Sequence, residues 1–539
     1  MPIATFRLAY LQRLTQIPPE QLVEQAFDYG LEAHVTEDKL EVEVTAERPD
    51  LLAAEGFSRA LNIYSGQMRT VPQHLPASGL QVQVSASVQS LRPYLAVVVV
   101  KNLTLDALAL EALVQFQEKV TQTYGRQRQK IAMGFYDLDQ VQGDLRYTTA
   151  DRHHLRFVPL GSDRPLTAQE ILNQPHQPYA HLLANLEQVP VLQDSTGQVL
   201  AMPPVINSEG VGHITPATRN LLIDVTGSVE KAVMELANIL AHNFVDWGAT
   251  VETVEITAPD RTWTTPSLTP KSVPFSAPLL NQRVGIAIAR ADLNPYLTRM
   301  DLQTDGQDQV LVPTYRTDIF SDTDIAGDLL VAVGIENLLP DQTPLKFFTG
   351  VEDPLKRFAL QMGDWSQRLG LIEVKGFLLS DPEELQEFWE TPVQTGNARS
   401  RSYSAIRTTL QGGLLEILSR NLTAPRPINL YEVGEAMRQT ETGKIEEALV
   451  WGFASLDGKA SFSTAKSYGQ TLLKALGIAF ELQPWQRDGR YIPGRAATVI
   501  VGGQAVGHFG EIAPHLLDRF SFLEPVCSGE LDCTALIQS

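Results

Sequence analysis

The sequence predicts a multidomain α+β protein. Three observations carry that expectation. An unbroken apolar run with β-branched residues, Leu95 to Val100, reads as a buried strand. Just after it, Leu105, Leu108, Ala112, Phe116 and Val120 recur at helical spacing, so strands and helices mix within one segment. Then Ala258 to Pro278 scatters five prolines among Ser and Thr, the composition of a linker or an extended edge between domains. A chain of 539 residues holds roughly three to four domains at about 100–200 residues each.

The elements follow in order. Leu40 to Thr45 alternates apolar and acidic residues, as a half-exposed strand does. Pro49 fits the first turn of a helix, and Asp50 puts negative charge where the helix dipole favours it. Leu52, Phe57, Ala60 and Leu61 share its buried side, and Gly66 stops it. Gly125 closes the helix that begins near Leu105, and a basic stretch with Arg126, Arg128 and Lys130 leads into a strand over Ile131 to Phe135. Val229, Val233, Leu236, Leu240 and Phe244 form another helical stripe ending at Gly248. Further on, Leu355, Phe358, Met362, Trp365 and Leu369 repeat at spacings of three and four. Leu410 to Asn421 makes a second late helix. Ala497 to Ile512 reads as a hairpin, with Gly502-Gly503 supplying the positive φ values of its turn. The domain limits drawn from these shifts are 1–78, 79–262, 263–345 and 346–539.

Composition excludes several classes. The formal net charge is −20, which argues against a protein that coats nucleic acid through many phosphate contacts and is compatible with a basic partner subunit. No apolar span is long enough to cross a bilayer, and the N-terminus lacks the pattern of a secretory signal, so a cytoplasmic protein without membrane contact is expected. Cys527 and Cys533 are too few for a disulfide framework or a zinc site and are expected reduced. Walker, dinucleotide-binding, HExxH and GxSxG signatures are absent from the sequence.

The most informative stretch is Pro203 to Gly227. Asp224 and Thr226 interrupt an apolar run, and polar groups so placed are costly to bury without hydrogen-bond partners. A ligand could be that partner; so could local backbone, and both readings stay open on the residues alone. Asp318, Asp322, Asp324 and Asp328 form an acidic group. Oxygen ligands suit Mg²⁺ or Ca²⁺, whereas Asp322 or Asp324 equally suits a helix N-cap. Arg407, Arg420 and Arg495 could bind phosphates or carboxylates or form structural ion pairs.

Taken together and in order, certain blocks are specific. These are RPDLLAAEGFSRAL from Arg48, GRQRQKIAMGFYDLD from Gly125, PPVINSE with NLLIDVTG, VLVPTYRTDI from Val310, IRTTLQGGLLEILSRN from Ile406, YEVGE from Tyr431, IPGRAA from Ile492 and GHFGEI from Gly507. The chain resembles the β subunit of phenylalanine–tRNA ligase in its shorter archaeal and eukaryotic form. The resemblance implies a mixed α/β editing domain, a small helical DNA-binding-like domain and a C-terminal class II synthetase-like antiparallel sheet with helices. It implies an α2β2 heterotetramer with an α subunit that binds ATP and attaches phenylalanine to tRNA, while β hydrolyses mischarged Tyr-tRNA. No DNA partner is expected.

For editing, the resemblance directs attention to Asp224, Thr226, Asn207 and Ser208, with Leu192 and Glu209 contacting substrate. A carboxylate that bonds the tyrosine hydroxyl would be left unpaired by phenylalanine. It also implies Mg²⁺ held by Asp318, Asp324 and Asp328, although Gly327 stands where family members often carry a further carboxylate. The C-terminal domain is expected to be a silent copy of a class II site. Tyr431-Glu432-Val433 fills the strand slot with no Arg before the Glu, and Arg495 stands alone. The Ile406 to Asn421 helix is expected to pack against α. The alternative is a synthetase-derived scaffold without editing.

Overall fold

A computed structural model describes residues 2–67, 69–306, 308–338, 347–386, 388, 391–440 and 442–538. The chain divides into two compact units, Met1–Gln342 and Thr343–Ser539.

The first unit begins with a three-stranded sheet. Lys39–Glu43 lies between Ile3–Arg7 and Ala33–Thr36, both antiparallel to it. The expected first helix is split. Pro49–Leu52 forms a 3₁₀ turn, and Ala54–Tyr64 is the α-helix, followed by Gly66 at φ 91°. Leu52, Phe57, Ala60 and Leu61 are buried as anticipated. Asp50 lies in the first turn of the 3₁₀ segment, as anticipated. It is sealed in the interior, where Arg48 Nη2 reaches it at 2.9 Å.

The centre of this unit is a ten-stranded sheet. Its order is Ile206–Asn207, Val199–Met202, Gln188–Asp194, Leu145–Asp151, Ala77–Val84, Thr250–Thr257, Tyr94–Lys101, Leu221–Gly227 and Ile131–Asp137, with Thr262–Thr265 paired to Thr250–Thr257. The sheet curls until its ends meet. Asn207 Nδ2, on the first strand of that order, donates to the Phe135 carbonyl of the last at 3.4 Å. One face packs against the helices Ala107–Gln122 and Glu230–Asp246 through Val98, Ile223, Val225, Phe116 and Leu236. The other packs on itself through Val97, Leu222, Tyr136, Tyr147 and Leu192. This is why Leu95 to Val100 is apolar at every position: both faces of the strand are covered.

The proline-rich stretch is extended edge. Thr262–Thr265 ends the large sheet, and Lys271–Pro274 starts a small one with Gln309–Val312 and Gln303–Thr304. Helix Leu293–Thr298 packs against Gln303–Thr304 of the small sheet, and Asp322–Val333 packs against both that helix and Ala277–Val284.

The second unit is a seven-stranded sheet. Its order is Ile372–Glu373, Ile428–Gln439, Ile445–Leu456, Val526–Asp532, Gln504–Ile512, Tyr491–Val501 and Glu481–Pro484, antiparallel except at the first pair. The predicted hairpin is present, with Gly502 at φ 58° and Gly503 at φ 85°. Helices Pro354–Arg368 and Phe462–Ala475 cover one face and Gln411–Ser419 the other. The leucines of that last helix, Leu414, Leu415 and Leu418, are spent on the chain's own sheet. Both cysteines are free and buried. Among the described residues no helix is long and apolar enough to cross a membrane.

Candidate functional site

The Leu221–Gly227 strand lies between Tyr94–Lys101 and Ile131–Asp137. That register sets Asp224 opposite Gly134 and Thr226 opposite Ala132. Both polar side chains are almost fully covered. Their side-chain partners come from other segments. The Tyr136 hydroxyl donates to Asp224 Oδ1. Arg92 donates from Nε to Thr226 Oγ1 at 2.9 Å and from Nη2 to the Thr226 carbonyl at 2.6 Å. Gly134 permits the first contact, because a Cβ there would collide with both the Tyr136 hydroxyl and Asp224 Oδ1.

Burial dominates the electrostatics. Removal from water pushes the Asp224 carboxyl up to about 6, against the opposing pull of Tyr136 and Arg92. The same cause pulls the Arg92 guanidinium down to about 10. The Tyr136 phenol rises well above its ordinary value, first through burial and then through Asp224.

Two cavities open at the seam of the curled sheet. A small one, ≈ 20 Å³, is bordered by Asp224, Thr226, Gly134, Pro203, Pro204 and Asn207. A larger cleft, ≈ 500 Å³, has an apolar wall that includes Leu110, Leu113, Met133, Phe135 and Ile214, and polar groups from Arg128, Asn207, Glu209 and His213. Arg128, Met133, Ile206 and Asn207 border both. Arg128 is aimed by an unusual turn. Arg126, Gln127 and Arg128 take φ values of 47°, 53° and 63° in succession. The helix ends at Gln122, the Gly125 N–H closes its last turn on the Val120 carbonyl at 2.8 Å, and the left-handed turn follows. The Arg128 guanidinium then donates to the Pro204 and Val205 carbonyls at 3.1 and 3.3 Å and lies over Tyr179. Glu209 accepts from the Gly161 N–H at 2.7 Å and holds His213 Nδ1 at 2.8 Å, and the first of these contacts keeps its carboxyl below the usual range.

Of the residues singled out from sequence, Asp224, Thr226 and Asn207 come together at the small cavity, and Asn207 also joins Glu209 at the cleft. Ser208 and Leu192 border neither. The Ser208 hydroxyl is buried without a partner, and Leu192 packs in the core cluster that contains Tyr136 and Tyr147. Sequence reasoning missed Arg92 and Tyr136; the latter lay unremarked inside the GFYDLD block.

The carboxylates expected to hold Mg²⁺ do not fit that role as arranged. Asp318 and Asp328 converge on the fully buried Arg316, whose Nη2 is 2.7 Å from each. Asp324 turns instead to the helix start, accepting from the Phe320 and Ser321 N–H groups at 2.9 Å in a capping box. A guanidinium thus stands where the cation was expected. Among the described residues, no group of three or more His, Cys, Asp or Glu side chains is placed to hold a metal ion. In the second unit, Arg407, Arg420 and Arg495 are all in ion pairs, with Glu432, Glu416 and Glu511.

Residues 273–335 match the tRNA synthetase B5 domain, and residues 339–533 match the phenylalanyl tRNA synthetase beta chain CLM domain. The phenylalanine–tRNA ligase beta subunit of Pyrococcus furiosus is 33% identical over 498 residues, covering 90% of this chain and 89% of that protein. The chain belongs to the phenylalanine–tRNA ligase beta-subunit family. The Archaeoglobus fulgidus beta subunit is 30% identical over 556 residues, spanning 100% of this chain and 99% of its own. A crystal structure of an N-terminal fragment of the Pyrococcus horikoshii phenylalanyl-tRNA synthetase beta-subunit aligns with a TM-score of 0.58 at 29% identity, over 61% of this chain and 99% of that one. Placed in the beta-subunit family, the chain is a component of an aminoacyl-tRNA synthetase, a ligase of protein biosynthesis.

Proposed function

We propose that this chain works with an α subunit in an α2β2 assembly that attaches phenylalanine to tRNA, and that its own seam site hydrolyses mischarged Tyr-tRNA. ATP is bound and used by the α subunit, in the cytoplasm. Membership of the beta-subunit family supports the partnership. One observation carries the editing reading: a buried carboxylate, Asp224, that already accepts a phenolic hydroxyl. An environment suited to a Tyr136 phenol is suited to a tyrosyl phenol. The same carboxylate penalises phenylalanine, which has nothing to donate.

The cleft supplies what ester hydrolysis needs. An aminoacyl ester is activated, so a positioned water and hydrogen-bond donors toward the developing oxyanion suffice. Arg128 and Asn207 are donors bordering the cleft, and His213, which borders it and is held by Glu209, is the group we assign to take the proton from water. The apolar wall seats the ring and ribose.

The scaffold reading draws support from one feature, the ≈ 20 Å³ beside Asp224, which admits a water and not an aromatic ring. The test uses the complex with its α subunit. It should release tyrosine from Tyr-tRNA faster than phenylalanine from Phe-tRNA, and Asp224→Ala should abolish that difference. If neither ester is cleaved, the chain is a scaffold.

A further inference from the structure

We propose that the Tyr136 phenol is a resident stand-in for the tyrosyl side chain in the seam site, and that substrate reaches Asp224 by exchanging with it. The inference rests on the editing reading and goes beyond it by naming what substrate must displace. Asp224 is not a waiting acceptor, since its Oδ1 already takes the Tyr136 hydroxyl. Thr226 is equally committed, through both its hydroxyl and its carbonyl, to Arg92. The remaining space, ≈ 20 Å³, is about one water's worth. A tyrosyl ring therefore cannot be added to the site as it stands; something of its own size must leave. Tyr136 is that group in size and in chemistry.

The local construction favours such an exchange. Gly134, between Tyr136 and Asp224 on the same strand face, has no Cβ to separate the phenol from the carboxylate. The Ile131–Asp137 strand is the last in the sheet order, paired on one side with Leu221–Gly227 and closed on the other by the 3.4 Å bond from Asn207. A side chain on such a strand leaves its place with few backbone hydrogen bonds disturbed. The adjoining ≈ 500 Å³ cleft shares Arg128, Met133, Ile206 and Asn207 with the small cavity and gives the incoming ring a neighbouring seat.

Exchange keeps the selection while raising the cost of entry. A tyrosyl phenol replaces the Tyr136 phenol like for like, and the hydrogen-bond count at Asp224 is unchanged. A phenylalanyl ring would break the resident bond and leave a buried carboxylate unpaired. The resident phenol thus sets a threshold for either ring, and only a hydroxylated ring restores the bond it breaks.

The experiment measures hydrolysis of Tyr-tRNA and Phe-tRNA by the complete α/β complex carrying Tyr136→Phe. Loss of the resident hydroxyl should raise kcat/KM on Tyr-tRNA about tenfold, and by a similar factor on Phe-tRNA, because each incoming ring is spared the breaking of the same bond. If the wild type prefers Tyr-tRNA and Tyr136→Phe leaves that rate unchanged or lower, Tyr136 is structural and the proposal is wrong. A second variant reads the pocket without hydrolysis. Tyr136→Ala should be raised in Tm by p-cresol and not by toluene; equal effects, or none, would also overturn the proposal. An absence of Tyr-tRNA cleavage by both wild type and Tyr136→Phe, together with a p-cresol-specific shift, would sink the editing reading while leaving the hydroxyl-reading pocket standing.

Discussion

Replacing Asp224 by Asn should make the seam more stable above neutral pH and leave it unchanged in acid. Burial raises the Asp224 carboxyl from 3.8 to about 6. At pH below 3.8 the group is protonated in both the folded and the unfolded chain and contributes nothing. Between 3.8 and about 6 the unfolded chain gives up its proton while the folded one keeps it, so stability falls as pH rises. Above about 6 the folded state carries the ionised carboxylate at full cost. At about 1.4 kcal/mol per pH unit, that cost is about 3 kcal/mol, undiminished by solvent because the side chain is sealed. Asn cannot ionise, yet its carbonyl can still accept from Tyr136. Hydrogen exchange over residues 221–227, compared between wild type and Asp224→Asn from pH 4 to 8, isolates this one group from every other titration. Protection in the variant should exceed wild type by roughly a hundredfold at pH 8, with the two converging near pH 4. Parallel profiles across that range would refute the assignment of a raised carboxyl.

Other outcomes follow from the same contacts. Arg316→Met leaves Asp318 and Asp328 facing one another without their shared cation, and should cost about 3–5 kcal/mol in urea unfolding; a loss under about 1 kcal/mol would show that the triad is not a buried charge cluster. Gly134→Ala drives a methyl into the Tyr136–Asp224 contact and should destabilise by about 1–3 kcal/mol, with part of that cost relieved in the Gly134→Ala, Tyr136→Phe double variant, measured as a thermodynamic cycle.

Much of the fold was legible because long apolar patterns decide it. The Tyr94–Lys101 strand, the Pro354–Arg368 helix and the Gly502-Gly503 hairpin each coincide with a strong periodic or turn signal. The first helix starts at Pro49 with Asp50 in its first turn, but as a short 3₁₀ turn, and Asp50 is also held by Arg48 two residues before it, which makes the carboxylate an interior ion. At the site, Asp224 and Thr226 announced themselves as polar breaks in an apolar strand. Their partners did not. Arg92 is 134 positions from Thr226, and Tyr136 is 88 from Asp224, so neither pairing leaves a local mark. The acidic group misled for the opposite reason. Sequence spacing showed three carboxylates but not the arginine that sits between two of them, nor the capping geometry that draws the third away.

The turn at Arg126, Gln127 and Arg128 has a consequence for anyone seeking to harden this protein. Three successive side-chain-bearing residues in the left-handed region forfeit about 1–2 kcal/mol apiece, a sum comparable to the net margin by which many domains stay folded. Glycine at 127 would relieve part of that burden and give a sturdier molecule by calorimetry. It would also loosen the mounting that fixes Arg128 against Pro204 and Val205. Thermostability gained at this corner would come at the expense of aim.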